Sequence, residues 1–181
     1  MSGISEKKTT REIFEINQAR SVPGPVGKLM IWLHNVRSMH NVGSAFRTAD
    51  AFGIQTIILS GYTPCPPRPE ISKTALGADE TVSWMHMDQP DEVFAYCKKQ
   101  QAPVYGIEQT HHSMLLTEFY PEETVPACLL FGNEVTGIED ELIKKCDLIL
   151  EIPQYGHKHS LNISVCIGIT LYHFLSKVLS K

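Results

Sequence analysis

Three polar segments of the chain carry residue types that can do chemistry, and each follows a run of apolar residues. In the first, residues 41–53, apolar residues recur at helical spacing, Arg47 lies off that apolar face, and Asn41 stands at the start. A guanidinium is a permanent cation whose fork of N–H groups binds carboxylate or phosphate oxygens. The alternative is structural: Arg47 pairs with Asp50 on a solvated helix face, and Asn41 caps the helix.

The second segment, residues 129–138, is an apolar strand that ends in Gly132 and continues through Asn133 and Glu134 to Gly137. Glycines let the backbone approach a ligand closely and leave its N–H groups able to donate hydrogen bonds. A plain turn between a strand and a helix is the alternative. The segment is not a phosphate-binding Walker A loop, because it lacks the Gly-Lys-Ser/Thr ending.

The third segment, residues 152–166, follows a strand and reaches Ser160 and Asn162 just before a very apolar helix. Both polar residues can cap that helix, and the helix start also offers N–H groups to an electron-rich ligand. His157 and His159 raise the question of a metal, but two histidines in a loop without a third ligand do not make a metal site. We therefore predict no bound metal.

Charge is distributed unevenly along the chain, although its net value is only −4. Residues 1–73 sum to +4, residues 74–143 to −11 and residues 144–181 to +3. Because electrostatic steering depends on where charge lies, the two ends of the chain form a basic face if they meet in space. The alternative is that the acidic middle is simply a solvated surface.

The five cysteines include no C-x-x-C pair, and their number is odd. This pattern favours buried thiols in a reducing compartment over a disulfide framework or a zinc site. No stretch approaches the roughly 20 apolar residues of a membrane span, and the N-terminus lacks the apolar core of a signal peptide. The sequence therefore predicts a cytoplasmic protein with no membrane partner.

The elements that must position the three segments alternate between strands and helices. Apolar, β-branched runs predict strands, and apolar residues at helical spacing predict helices. The alternation is typical of an α/β fold whose mostly parallel sheet is covered by helices on both faces and binds ligands at the carboxyl ends of its strands. We predict strands at 28–34, 54–60, 81–86, 102–108, 127–132 and 147–153, and helices at 41–52, 90–100, 139–146 and 162–179.

The remaining segments are predicted to be less regular. Residues 1–20 form a polar, partly helical extension with Thr9 or Thr10 as its cap, and the prolines and glycines of residues 21–28 form a linker. We expect a proline-rich loop at 62–70, a short helix or turn at 71–78 and irregular structure at 109–126.

Taken together, the three segments resemble the SpoU/TrmH family of the SPOUT methyltransferase superfamily. The family pattern N-x-G-x-x-x-R-x-A-x-x-F-G matches residues 41–53, F-G-x-E-x-x-G matches residues 131–137, and I-P-x-x-G-x-x-x-S-L-N-x-S matches residues 152–164. Residues 73–78 with Trp84 are also similar to this family. Three motifs in the right order, each at the end of a predicted strand, extend the resemblance over residues 28–179.

The resemblance implies a fold whose C-terminal part is tied in a deep trefoil knot. It also divides the chain into an N-terminal extension and linker at residues 1–27 and a catalytic domain at residues 28–181. In this family the knot loops hold S-adenosylmethionine (SAM), and the protein is a homodimer with its first and last helices at the interface and a shared active site. The SAM-binding residues carried over to this chain are Gly106, Ile107, Glu108, Phe131, Gly132, Asn133, Glu134, Gly137, Ile152, Pro153, Gly156, Ser160 and Leu161.

The family's reaction moves a methyl group from SAM to a ribose 2′-hydroxyl of RNA, and the arginine that matches Arg47 is its catalytic residue. A guanidinium has no lone pair to act as a base. We therefore expect Arg47 to stabilise the developing alkoxide and to grip the adjacent phosphate, which takes the proton. Asn41 is expected to fix the arginine or the ribose. The residues expected to organise the site and hold the arginine are Glu134, Ser160 and Asn162.

The RNA target is expected to be tRNA or rRNA, with tRNA slightly preferred because the chain is compact and carries no dedicated rRNA-binding domain. Expected RNA contacts, with solvated surface as the alternative, are Lys7, Lys8, Arg11, Arg20 and the loop around Arg68. The competing function is a catalytically inert knotted module that binds SAM and RNA, but the five catalytic residues together argue against it. A third alternative, an unrelated nucleotide-binding α/β enzyme, is disfavoured because no phosphate-loop or G-x-G-x-x-G signature occurs.

Overall fold

The structure, a computed structural model, describes residues 6–54, 56–121 and 126–179. Its strands are β1 (Leu29–His34), β2 (Thr56–Ser60), β3 (Ser83–Met87), β4 (Val104–Ile107), β5 (Met114–Leu115), β6 (Ala127–Phe131) and β7 (Leu148–Glu151). They form one sheet in the order β3-β2-β1-β6-β4-β7-β5, and each neighbouring pair is parallel. The predicted parallel sheet is therefore confirmed.

Helices cover both faces of this sheet, also as predicted. The helices formed by the described residues are α1 (Thr10–Ala19), α2 (Gly24–Gly27), α3 (Met39–Phe52), α4 (Pro69–Ala75), α5 (Ala78–Thr81), α6 (Pro90–Lys99), α7 (Asp140–Ile143) and α8 (Ile163–Leu179). Helices α3, α4 and α8 contribute Phe46, Ile71 and Leu171 to one buried cluster, whereas α6 contributes Val93 to a second cluster. None of the helices formed by the described residues is long and apolar enough to span a membrane.

Strand β1 shows why the predicted strands are nearly continuous apolar runs. Ile31 and Leu33 join the first cluster, whereas Met30 and Trp32 join the second, because successive side chains of a strand point to opposite faces. All six residues of β1 are buried. A strand that is covered on both faces has no solvent side on which polar residues would alternate.

Helix α3 begins earlier than the sequence predicts, and Asn41 is not its cap. The cap is Ser38, whose hydroxyl accepts a hydrogen bond from the Asn41 N–H (3.3 Å). Two further N–H groups that precede the first turn, those of Arg37 and Ser38, are satisfied by the distant Glu134 carboxylate, so the helix can start before the apolar pattern does. Gly53 ends α3 in the left-handed region with φ +70°, as predicted.

The N-terminal extension contains α1, and Thr9 is its cap, as one of the two predicted residues. The Thr9 N–H donates to the Glu12 carboxylate (2.7 Å), and the Glu12 N–H donates to the Thr9 hydroxyl (3.3 Å), which completes a capping box. No residue of α1 is buried against the rest of the described chain, so the apolar residues Ile13 and Phe14 lie exposed.

Three predicted segments differ in detail. The linker at 21–28 contains the one-turn helix α2, because proline is tolerated in a first helical turn. Residues 109–126 are not wholly irregular: they include β5 and a 3-10 turn (Leu116–Glu118), both too short to leave a periodic pattern. The helix predicted at 139–146 is only α7. Residues 1–5, 55 and 122–125, which belong to the predicted extension, the strand predicted at 54–60 and the segment 109–126, lie outside the described residues, as do residues 180–181.

Candidate active site

The carboxyl ends of β4, β6 and β7 lie at one edge of the sheet, because these neighbouring strands are parallel. The loops that follow them enclose a cavity of about 700 Å³, a size typical of small-molecule sites. Segments far apart in the sequence meet there. The lining comes from residues 107–111, 131–138 and 159–161 and from Asp140, Ile143, Ile152, Gln154, Ile163 and Cys166.

The loop after β6 is held in shape by Asn133. Its backbone N–H and carbonyl exchange hydrogen bonds with those of Gly137 (3.0 and 2.9 Å). Its side-chain oxygen accepts from the N–H groups of Val135 (2.8 Å) and Thr136 (3.0 Å). An added Cβ on Gly132 would lie 2.4 Å from the Gly137 backbone, so glycine is required where the two ends of this loop meet.

Glu108 joins the loop after β4 to the loop after β6. One carboxylate oxygen accepts from the Ile138 N–H (3.0 Å), and the other accepts from the Gln109 N–H (2.8 Å). Gly137, at φ +69°, leaves the room for this carboxylate, because an added Cβ would lie 2.3 Å from it. Gln109 in turn donates from its side chain to the His159 carbonyl in the loop after β7 (2.8 Å). All three loops are thus connected.

Glu134 fastens the loop after β6 to the start of α3. Its carboxylate accepts from the N–H groups of Arg37 (2.9 Å) and Ser38 (3.0 Å) and from the Asn41 side chain (2.9 Å). Burial acts to raise the pKa of Glu134, but the hydrogen bonds from Arg37, Asn41 and Ser38 outweigh it, and the pKa lies below its ordinary value. The side chain is therefore an anion that accepts hydrogen bonds at neutral pH.

Asn162 extends this connection to α8. Its side-chain nitrogen donates to the Asn41 side-chain oxygen (3.2 Å), while its own oxygen accepts from the Ser164 N–H (2.8 Å) in the first turn of α8. Asn162 is therefore the predicted cap of that helix. The chain Asn162, Asn41, Glu134 brings together one residue from each of the three polar segments.

A polar network around His34 lies at the end of β1. Its Nδ1 lies 2.6 Å from the Ser60 hydroxyl, and its Nε2 lies 3.1 Å from the Glu139 carboxylate. Burial lowers the pKa of His34, although Glu139 acts in the opposite direction. Asn35 donates to the same carboxylate (2.8 Å), and its main-chain carbonyl accepts from the Asn133 side chain (2.9 Å). The network therefore fixes the end of β1 against the loop after β6.

Arg47 lies on α3, six residues after Asn41 and thus about 9 Å further along the helix axis. Its side chain is exposed. Within the part of the chain that the structure describes, its guanidinium makes no hydrogen bond or ion pair. The predicted alternative of a pair with Asp50 is therefore wrong, and Asp50 instead accepts from the Thr81 hydroxyl (3.4 Å). The guanidinium is also not bonded to Glu134 or Asn162.

The structure brings most of the predicted SAM-binding residues into one cavity. Gly106 is an exception, because it lies within β4, where an added Cβ would meet Ile149 at 2.7 Å. Pro153 and the exposed Gly156 are also outside the lining. The predicted residues that do line the cavity are Ile107, Glu108, Phe131, Gly132, Asn133, Glu134, Gly137, Ile152, Ser160 and Leu161.

The cavity is acidic. Glu108, Glu134 and Asp140 contribute carboxylates, and none of the described residues that line it is a lysine or an arginine. Within the described ranges, no group of three or more histidine, cysteine, aspartate or glutamate side chains is placed to hold a metal ion. The surroundings therefore favour an organic ligand of positive or neutral charge over a phosphate-bearing one.

Sequence reasoning missed several lining residues. The segment 109–111 directly follows Glu108, and Asp140 follows the glycine loop by three positions. Ligand sites lie just after the carboxyl ends of parallel strands, and this rule predicts residues 109–111 when it is applied beyond the family motifs. Asp140 carries no such signal, because its position depends on how the loop closes.

The parallel sheet and its three joined loops define a class of protein that a family model also identifies. The model of the SpoU rRNA Methylase family matches residues 28–172. The chain belongs to this family, and the resemblance seen in the three motifs is confirmed.

Relatives in this family carry names that refer to both rRNA and tRNA. The chain is 29% identical over 143 residues to the 23S rRNA (guanosine-2′-O-)-methyltransferase RlmB of Neisseria meningitidis, which covers 79% of this chain and 56% of that protein. It is 28% identical over 166 residues to the tRNA (guanosine(18)-2′-O)-methyltransferase of Aquifex aeolicus, covering 91% of this chain and 73% of that one.

A solved structure shows the same fold. The AdoMet-bound rRNA methyltransferase from Sinorhizobium meliloti superimposes with a TM-score of 0.74 at 29% identity, covering 82% of this chain and 56% of that one. The chain thus spans little more than half the length of this protein and of the Neisseria relative.

Proposed function

We propose that this chain transfers a methyl group from SAM to a ribose 2′-hydroxyl of RNA. The observation that carries the proposal is the acidic cavity at the ends of β4, β6 and β7, formed within the stretch that matches the family. The relatives from Neisseria and Aquifex, both named 2′-O-methyltransferases, support it. So does the Sinorhizobium structure, which is described as AdoMet bound.

The chemistry of the cavity fits SAM as the cofactor. SAM has a positive sulfonium and a positive amino group beside one carboxylate, so three acids without a lysine or arginine suit it better than a nucleotide phosphate. Ile107, Phe131 and Ile138 offer an apolar wall, and the glycine loop at 131–137 brings backbone groups close. When bound, SAM supplies an activated methyl group, while the protein binds SAM and the RNA and orients the two for reaction.

We assign the acceptor side of the reaction to Arg47. An exposed guanidinium that is unpaired in the described chain can bind the phosphate beside the target ribose and stabilise the alkoxide that forms there. The phosphate takes the proton, because arginine has no lone pair for it. Asn41, held by Glu134 and Asn162, positions the ribose. Ser160, which lines the cavity, completes the proposed catalytic set.

The C-terminal part is proposed to be threaded as a trefoil knot. Strand β4 lies between β6 and β7 although it precedes both in the chain, and Gln109 ties the loop after β4 to the loop after β7. Pulling the protein from both ends with optical tweezers tests this. A knotted chain stops short of its full contour length, and an unknotted chain reaches it.

We propose a homodimer built on α8. Val165, Ile169, Tyr172 and Leu179 recur at intervals of three, four or seven residues and are 47, 39, 64 and 67% exposed. An apolar stripe of this kind indicates a partner, and the family resemblance supports a second copy of the chain. Sedimentation should give a dimer for the wild type and a monomer for Ile169→Glu, and a wild-type monomer would overturn the idea.

We propose that the substrate is RNA, with tRNA slightly preferred over rRNA. Residues 1–27 are proposed to contact this RNA. Relatives are named for each kind of RNA, so both must be assayed. The five cysteines are free thiols, which supports a protein of the reducing cytoplasm.

The experiment is calorimetry with SAM, followed by transfer of a tritium-labelled methyl group to unmodified tRNA and, separately, to rRNA. We expect SAM to bind and label to enter one of the two RNAs. Binding of SAM and RNA without incorporation would favour the inert knotted module. A protein that binds no SAM would overturn both functions.

A further inference from the structure

A second recess lies at the carboxyl ends of β1 and β2, beside the cavity. It is an open groove of about 840 Å³, lined by Arg37, Met39 and residues 61–70. We call it the Tyr62 groove. None of the three motif segments contributes to it, and the cofactor proposed above does not need it.

Tyr62 offers this groove an aromatic ring that is exposed but held at both ends. The residue is 60% exposed, yet its hydroxyl accepts a hydrogen bond from the Asn133 side chain (2.9 Å), and its N–H donates to the Asn35 side chain (3.2 Å). A ring fixed in this way loses little freedom when a ligand binds. Fixed aromatic faces of this kind stack on the bases of single-stranded nucleic acid.

The charged groups of the groove select the ligand further. Arg37 and Arg68 are exposed, and their guanidinium groups make no hydrogen bond or ion pair with any other described residue. Glu70 lies at the same groove. A carboxylate repels a free phosphate but accepts hydrogen bonds from the N–H groups of a base, so the set fits a nucleotide better than inorganic phosphate.

The groove and the cavity share a wall. Asn133 lines the cavity and also binds the Tyr62 hydroxyl, and Arg37 donates its backbone N–H to Glu134, another lining residue. A ligand in the groove is therefore a near neighbour of a ligand in the cavity, as adjacent nucleotides of one strand must be.

We propose that the Tyr62 groove binds an RNA nucleotide that flanks the methylated one, with its base stacked on Tyr62 and its phosphate at Arg37 and Arg68. The inference rests on the proposed function, because it takes the methylated ribose to lie at the cavity. It names a positioning surface for RNA that is separate from the cofactor site.

The test measures binding of a fluorescein-labelled, single-stranded RNA 12-mer of mixed sequence to the full chain by anisotropy, with the SAM affinity of each variant measured alongside. Tyr62→Ala should weaken RNA binding about tenfold, whereas Tyr62→Phe, which keeps the ring, should stay within about twofold. Arg68→Ala should weaken it about fivefold and flatten its salt dependence. Lys98→Ala on α6 removes an equal charge outside the groove and should change nothing.

Two results would overturn the proposal: a wild-type protein that does not bind the 12-mer, or Tyr62→Ala and Arg68→Ala that both bind it as the wild type does. Equal losses in Tyr62→Phe and Tyr62→Ala would assign the effect to the Asn133 hydrogen bond and reject stacking. The proposed function fails separately, if the wild type binds the 12-mer but methylates no RNA. Circular dichroism checks that the variants fold, which is expected because both side chains are exposed.

Discussion

The cavity and the Tyr62 groove lie side by side but differ in charge. The cavity holds the carboxylates of Glu108, Glu134 and Asp140 without a lysine or arginine among its described lining. The groove presents two arginines, Arg37 and Arg68, beside the carboxylate of Glu70. The proposed methyl transfer to RNA needs a cationic donor and a polyanionic acceptor in neighbouring places. A difference in charge of this kind favours the donor in the cavity and the acceptor in the groove.

The two regions also differ in how their polar groups are satisfied. Glu108 accepts a hydrogen bond from the Ile138 N–H, and Glu134 accepts hydrogen bonds from two N–H groups at the start of α3. The cavity is therefore organised before a ligand arrives. The arginines of the groove have no such partners among the described residues. Preorganised groups suit a small ligand of fixed shape, and unpaired flexible cations suit the phosphates of a long one.

The largest expected effect follows from removing Arg47, the cation assigned to the acceptor side. Arg47→Ala should lower kcat about a hundredfold, the usual loss for a group that stabilises a developing oxyanion. SAM affinity, measured by calorimetry, should not change, because Arg47 does not line the cavity.

Arg47→Lys sharpens the same comparison, because lysine keeps the charge but loses the two-point fork. We expect it to remain well below wild-type activity. Near-full methyl transfer by Arg47→Lys would contradict bidentate phosphate binding by Arg47. A large loss of SAM affinity in Arg47→Ala would contradict the claim that Arg47 acts on RNA and not on SAM.

The next largest effect is expected at Gly137. A Cβ there would collide with the Glu108 carboxylate at 2.3 Å, and the φ of +69° disfavours any other residue. Gly137→Ala should therefore weaken SAM binding more than tenfold while 12-mer binding stays within about twofold. Gly27→Ala is the matched control, because its Cβ would make only an ordinary contact with Val22 at 3.5 Å. Equal SAM affinity in the two variants would contradict this account of the loop.

Raising the salt concentration should weaken RNA binding much more than SAM binding, and this comparison needs no mutation. Raising the salt from about 50 to about 200 mM should weaken 12-mer binding roughly twentyfold if about three phosphates are neutralised. SAM binding in the cavity should change less than about twofold. Titrations of both ligands at each salt concentration check this, and parallel losses for the two ligands would contradict the comparison.

The smallest expected effect concerns stability. In the wild type, the Glu134 carboxylate accepts hydrogen bonds from two backbone N–H groups. Glu134→Gln places an amide N–H₂ against these donors and should lower the unfolding free energy by roughly 1–2 kcal/mol. Because the folded pKa of Glu134 lies below its ordinary value of 4.5, the wild type holds this stabilisation above that value and loses it as pH falls through the folded pKa.

Glu134→Gln cannot titrate at this position. Between roughly pH 5 and pH 3, urea unfolding should therefore show the wild type losing more stability than the variant, so that the two curves converge. A constant gap across that range would show that the carboxylate charge does not matter. Glu118→Gln, in the 3-10 turn, controls for the loss of one acidic group.

Much of the fold could be predicted because strands and helix ends follow local sequence patterns. Both faces of β1 are buried, so its apolar run is continuous, and Gly53 ends α3 because it adopts a left-handed conformation. The start of α3 could not be predicted in the same way. Glu134, nearly a hundred residues later, satisfies the N–H groups of Arg37 and Ser38, and such a contact leaves no trace in a local pattern.

The candidate site divides along the same line. Glu134, Ser160 and Asn162 were predicted to organise the site and hold Arg47. Hydrogen bonds connect Glu134 and Asn162 through Asn41, but they do not reach the guanidinium. Gly106 was carried over with its neighbours, but it packs inside β4 instead. Tyr62 was not singled out at all, because its role depends on a bond to Asn133 that only the folded chain makes. The types of residue in a motif can be recognised in the sequence, but a contact between distant residues such as Tyr62 and Asn133 cannot.

The most direct measurement of the central claim identifies the atom that is methylated. Unmodified tRNA and rRNA are incubated with the protein and SAM, digested to nucleosides and analysed by mass spectrometry. We predict a 2′-O-methylnucleoside that forms about a hundredfold more slowly when Arg47→Ala replaces the wild type. A methyl group on a base, or no new methyl group in either RNA, would contradict the account.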